Sequence, residues 1–196
     1  MSGLRHEGRG GRVALYGAVA FVAVFLLAPL LIVMPMSFSA TTLMQFPPSS
    51  YSMRWYDAYF TSRSWLDATW ISFRAGMVVA IVSTVLGTAT ALALTRAEFR
   101  GKAAVQAFLL SPLVVPVIIL SVGLYYLFSM AKLNNTFTGL VIGHVVLTFP
   151  YAMVVVVASL EDFDRTLEQS AMGLGATPLR AFWRITLPLI SPGIVV

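Results

Sequence analysis

The sequence predicts an all-α integral membrane protein with four transmembrane helices, a cytoplasmic helix-turn-helix loop and the start of a fifth span. Three observations carry that class. Of 196 residues, 58% are hydrophobic and 11% are charged, against about 25% charged in soluble domains. Four charge-free runs, Val13–Met36, Ala75–Leu94, Ala103–Ala131 and Leu133–Leu160, reach the roughly 20 residues a helix needs to cross a bilayer. The stretch Glu161–Pro192 then alternates polar and apolar residues at helical spacing, which lipid cannot bury.

The elements follow in order. Residues 1–12 form a basic N-terminus and 13–36 the first span. Ser37-Phe38-Ser39 resembles a cleavage triplet, but the apolar run exceeds the 7–15 residues of a signal peptide, so an uncleaved span is expected. Residues 37–74 lie outside the membrane. Pro47-Pro48 breaks this segment, and Tyr51, Trp55, Tyr56, Tyr59, Phe60, Trp65 and Trp70 make it aromatic. That suits an interfacial belt or a surface that receives a binding protein. The second span is 75–94, with Arg74 snorkelling outward and Gly76 and Gly87 at close helix contacts. A loop at 95–102 leads to the third span, 103–131, where Pro112 and Pro116 favour a bend. Residues 132–138 form an outer turn at Asn134 and Asn135, and 139–160 is the fourth span. The loop occupies 161–189. Residues 190–196 open a fifth span too short to cross, as in a truncated six-span protein.

Lysine and arginine set the orientation. Arg5, Arg9, Arg12, Arg96, Arg100, Lys102, Arg165, Arg180 and Arg184 fall on one side; Arg54, Arg63, Arg74 and Lys132 fall on the other. The richer side is cytoplasmic, which places the N-terminus and the loop there. The net charge of +5 is spread over these connections rather than gathered on one basic face, so no nucleic-acid partner is expected.

Chemistry is sparse. No Asp or Glu lies within the four spans, where an ion-coupled carrier usually keeps an ionisable group. There is no G-x-x-x-x-G-K-[ST] phosphate loop, G-x-S-x-G or H-E-x-x-H. No catalytic, cofactor-binding or metal residue is therefore assigned, and energy for uphill transport has to come from another polypeptide. There are no cysteines.

The loop is legible residue by residue. Asp164 suits an N-cap, and Leu167, Ala171 and Leu174 form an apolar stripe. Gly175 suits a left-handed stop. Thr177 and Pro178 suit a second N-cap and first helical position. Leu179, Phe182 and Trp183 form a second stripe, and Pro188 is expected to end that helix; an interfacial helix pair lying on the lipid headgroups is the alternative reading of the same stripes.

From Gln169 the residues Ser170, Ala171, Gly175, Ile185, Leu187 and Pro188 resemble the "EAA" loop of ABC importer permeases: Glu-Ala-Ala, three residues, Gly, nine residues, Ile, one residue, Leu-Pro. Glu168, Ala176 and Pro178 complete the candidate coupling set. Gln169 stands where the pattern has Glu, and Ser170 where it has the first Ala. Glu168 lies one position earlier, about 100° round the helix, and is not a simple substitute.

Leu86–Lys102, Leu109–Phe128 and Gly139–Asp164 are similar to the same family. The whole is most similar to the second permease of the spermidine/putrescine group. The resemblance implies a bacterial inner-membrane subunit that works with a second permease, two copies of an ATPase that uses ATP, and a periplasmic binding protein. It leaves ferric iron or phosphonate as alternative substrates, and a channel or secondary carrier as the alternative class. Tyr125, Tyr126, Phe128 and Tyr151 are candidate faces for a cation path, with His144 at its outer mouth; ordinary packing is the alternative for each.

Overall fold

The computed structural model describes residues 9–42 and 45–195. Arg5 and the rest of 1–8, residues 43–44, and Val196 lie outside the described residues. The chain divides into two compact units, Met1–Ala68 and Thr69–Val196.

In the first unit, α1 (Arg9–Met36) carries Pro29 and Pro35 inside it. Its described side chains are exposed from residue 11 to residue 27. A helix apolar all round has lipid or another apolar surface as its solvent. The chain then folds back on itself. Ser52 N donates to the Phe38 carbonyl at 2.7 Å, and Ala40 N to the Ser50 carbonyl at 3.0 Å. Helix α2 (Arg54–Thr61) pins this turn: Trp55 Nε1 donates to the Ser39 carbonyl at 2.9 Å, and the Tyr56 hydroxyl lies 2.8 Å from Ser37 Oγ. The aromatic segment after α1 is therefore built structure, not loop.

The second span differs from the sequence expectation. Helix α3 runs Arg63–Arg96, 34 residues, instead of 75–94. Ser62 is extended and ends α2, but nothing after it breaks a helix. At 1.5 Å per residue α3 is about 50 Å long, so it projects well beyond a hydrocarbon core of about 30 Å.

The third run, expected over 103–131, is two helices. These are α4 (Lys102–Val114) and α5 (Val117–Met130), bent by 104° at the break. The cause is Pro116. Its ring excludes helical backbone from the residue before it, and Val115 is extended at φ −72°, ψ 129°. Pro112 sits inside α4 without breaking it.

After a turn with Lys132 and Asn135 at positive φ, Thr136 caps α6 (Phe137–Glu161) by accepting from Gly139 N. Helix α6 packs along α3. Ser83 Oγ lies 2.7 Å from Thr148 Oγ1. Lower down, Ala91, Val156, Leu160 and Ile190 form a small core, with Leu92, Val157 and Phe163 against it. Ile190 belongs to α9 (Leu187–Val195), so three helices meet there.

Gly87 sets the α3–α6 separation. A Cβ added there would lie 2.8 Å from Ala152 Cβ and 2.9 Å from Met153 N. Gly76, expected at a similar contact, has nothing within 4 Å. Gly87→Val should therefore destabilise by about 1–3 kcal/mol through overpacking. Gly76→Ala should not, because an alanine in helix is favoured by up to about 1 kcal/mol over glycine. Thermal aggregation midpoints in detergent would distinguish them; equal midpoints would contradict the contact.

Candidate coupling site

Between α6 and α9 the chain forms α7 (Arg165–Gly173), α8 (Pro178–Ala181) and a π-helical turn (Phe182–Thr186). Local chemistry explains each boundary. Asp164 caps α7 by accepting from Thr166 N at 2.9 Å. Bonds to the backbone and side chain of Thr166 hold the Asp164 carboxyl below its ordinary range, because they favour the charged form. At the other end Gly175 takes φ +91°. Ala176 N then donates to the Ala171 carbonyl and Gly175 N to the Met172 carbonyl, both at 3.0 Å. This pair of bonds is the Schellman stop. Thr177 caps α8 by accepting from Arg180 N, and Pro178 occupies the first turn.

Pro188 does not end this second helix, contrary to the sequence expectation. The helical path continues through it into α9. Proline lacks the N–H for an α-helical bond and crowds the preceding turn. Here the preceding turn is widened: Leu187 N donates to Phe182 O, five residues back. Within that turn Thr186 is fully buried, and its Oγ1 has no hydrogen-bond partner among the described residues.

The two apolar stripes face away from the chain's own core. Leu174 is 92% exposed, Leu179 68% and Trp183 60%. Leu167 is also exposed, whereas Phe182 is half-buried with its ring edge-on to Trp183. Gln169, Ser170 and Pro188 are exposed; Ala171, Ala176, Ile185 and Leu187 are half-buried.

Glu168 points the other way. Its side chain is 8% exposed, and Oε2 accepts from Arg96 Nη2 at 2.8 Å. One helical step separates Glu168 from Gln169, and it places one inside and the other outside. A carboxylate so buried, left without its cation, costs on the order of 3–5 kcal/mol. Three residues earlier on α7, Arg165 Nη2 donates to the Thr95 carbonyl at 2.6 Å. Arg96 and Arg165 entered the sequence reading only as topology charges. No spacing rule joins residues so far apart in the chain, although Arg96 at the end of a helix and Arg165 beside a capping aspartate were visible.

The candidate path residues are only partly gathered. Tyr125 and His144 line one open groove of about 250 Å³ with Phe128, Asn134 and Leu147. Tyr126 and Tyr151 are exposed and lie outside its lining. His144 Nδ1 is 2.8 Å from the Leu140 carbonyl, a local helix contact that places its proton on Nδ1.

The cap on α7 carries a pH prediction. Because the folded-state pKa of Asp164 is depressed, the cap is fully formed above the unfolded value and is lost as pH falls through the lower folded value. Hydrogen exchange at the first amides of α7 should stay protected through the ordinary aspartate range and open only below it. In Asp164→Ala these amides should be unprotected throughout. Opening of the unmodified protein already at the ordinary aspartate pKa would contradict the cap.

Known proteins resemble this chain in sequence and in fold. The chain is 33% identical over 178 residues to the putrescine transport system permease protein PotI of Escherichia coli (strain K12), covering 87% of this chain and 63% of that protein. It is 32% identical over 145 residues to the spermidine/putrescine transport system permease protein PotC of Haemophilus influenzae, covering 74% and 56% respectively. The chain thus spans about three fifths of the length of these relatives. A crystal structure of a bacterial alginate ABC transporter, in complex with an alginate-bound periplasmic protein, superposes with a TM-score of 0.67 at 18% identity. That match covers 94% of this chain and 68% of the other and speaks for the fold alone. Residues 83–196 match the family described as the binding-protein-dependent transport system inner membrane component; with the curated relatives and the fold in agreement, the chain belongs to that family.

Proposed function

We propose that this chain is the transmembrane permease subunit of an ABC importer and that α7, α8 and the π-helical turn dock a separate ATPase subunit. The observation that carries the reading is the exposed apolar surface of a tightly capped helical hairpin. Leu174, Leu179 and Trp183 are held outward, and ordering them without a partner gains the chain nothing. A cleft on a partner would bury them, at about 25 cal/mol per Å² of apolar surface removed from water. Gln169 and Ser170 lie exposed beside this surface and offer neutral hydrogen bonds. The N-terminus and the loop face the cytoplasm, and the segment after α1 faces the periplasm, by the lysine and arginine bias.

The substrate is a polyamine in this reading. Support comes from the relatives named for putrescine and spermidine transport and from the Tyr125 face beside His144, which suits a cation. The complete transporter would add a second permease, two ATPase copies that hydrolyse ATP, and a periplasmic binding protein that supplies selectivity.

Gly175→Val tests the dock. A β-branched residue at φ +91° is strained by about 1–2 kcal/mol, and relief would change the angle between α7 and α8. With membrane levels near normal, ATPase co-purification in mild detergent should fall by about tenfold, equivalent to about 1.4 kcal/mol, and putrescine uptake should fall with it. Full association and full uptake by the variant would mean that the hairpin is not a coupling element.

Orientation is tested separately, since any cysteine introduced is unique. After outer-membrane permeabilisation, an impermeant thiol reagent should label a cysteine at Ser49 and spare one at Thr177. The reverse pattern would invert the topology.

A further inference from the structure

We infer that Glu168 and Arg165 form a two-point clamp through which displacement of the docking hairpin is carried into α3, with Glu168 and Arg96 as positioning residues for transport. The inference rests on the docking role proposed above and goes beyond it by naming the path out of the dock.

Residues three apart on a helix share a face, so Arg165 and Glu168 grip α3 together. They hold successive residues, Thr95 and Arg96, at its last turn. The polarity is complementary at both points. Arg165 donates to a carbonyl at the negative end of the α3 dipole, and the Glu168 carboxylate meets the cation of Arg96. The inner face of α7 is thus tied down while Gln169, on its outer face, remains free.

Glu168 is the only Asp, Glu, Lys or Arg among the described residues that is buried. A purely structural contact there would be served as well by an apolar pair, because a buried ion pair is weak evidence for stability. What an ion pair adds is a fixed register between two elements. The clamp also sits just beyond the core of Ala91, Val156, Leu160 and Ile190. A push on α7 therefore reaches α3 directly, where α3 already packs with α6 and α9. Two covalent routes run beside it: the Asp162–Asp164 turn from α6, where Phe163 packs on the core, and the helical path through the π-helical turn into α9; neither reaches the last turn of α3, which the clamp holds directly.

The test uses the full-length permease assembled with its partner permease and ATPase, carrying one cysteine at Ala89. That residue is exposed on α3, about two turns before the clamp. The readouts are ATPase co-purification and the rate of maleimide labelling at this cysteine, compared between nucleotide-free and vanadate-trapped ATP states. Neither depends on the transported substrate.

In the unmodified complex the labelling rate should differ between the two states by at least about fivefold, the lower end of ordinary coupling. In Glu168→Gln and Arg96→Gln, co-purification should persist while the difference collapses. The exchanged pair Arg96→Glu with Glu168→Arg should restore much of it. The clamp is overturned if the single variants keep the nucleotide response, if the charge exchange restores nothing, or if the unmodified complex shows no response. Loss of co-purification in the single variants would also overturn it, because the pair would then only shape the dock. Absence of any ATPase from the unmodified complex would instead refute the docking role, and the clamp with it.

Discussion

The hairpin hangs on one buried carboxylate. Glu168 gives up water at a site where, among the described residues, only Arg96 compensates it, so α7 has few alternative positions: rotating the helix by a single residue would expose the carboxylate and bury Gln169. With α7 fixed in rotation, the Schellman stop and the Thr177 cap determine where α8 begins. The outward direction of Leu174, Leu179 and Trp183 is set by that stop and that cap, which form from local residues and stay in place without the ion pair. Hydrophobicity alone would have turned those side chains inward.

The membrane-embedded part obeys a different constraint. In lipid each backbone polar group needs an internal partner, so departures from the α-helix occur only where the structure can absorb them. The Val115–Pro116 break shows one solution. Val115 N still donates to the Ser111 carbonyl, and Leu120 N to the Pro116 carbonyl, so α4 keeps its last bond and α5 begins its own ladder directly after the 104° bend. Outside that part, in the hairpin, the π-helical turn before Pro188 is another solution. It moves the Leu187 bond back by one residue and lets the helix run into α9. Two prolines thus have opposite outcomes: one bends its helix sharply, and the other is carried through a widened turn.

Small residues decide how closely α3 and α6 approach. Gly87 faces Ala152 and the Met153 backbone, and Ser83 meets Thr148. Such a seam is typical of helices in lipid, where close packing and short polar contacts replace the hydrophobic drive. Gly76, on the same helix, meets nothing within 4 Å. Glycine alone does not identify a contact, because another helix must also approach it.

The sequence by itself determined what local chemistry determines. Membrane class follows from composition, and the hairpin's boundaries follow from Asp164, Gly175, Thr177 and Pro178, because caps and left-handed stops depend on residues within one turn. The resemblance to the family rests on the residues of the loop and on Leu86–Lys102, Leu109–Phe128 and Gly139–Asp164. Tertiary structure decided what depends on distant partners. The start of α3 at Arg63 could not be read from a charge-free run, because a helix can project beyond lipid and carry its charges there. The Pro116 bend and the Pro188 continuation look alike in sequence, and only the surrounding turn separates them. The inward turn of Glu168 depends on Arg96, 72 residues earlier. An ion pair between two helices has no signature in either helix alone, since each charge by itself reads as a solvated end.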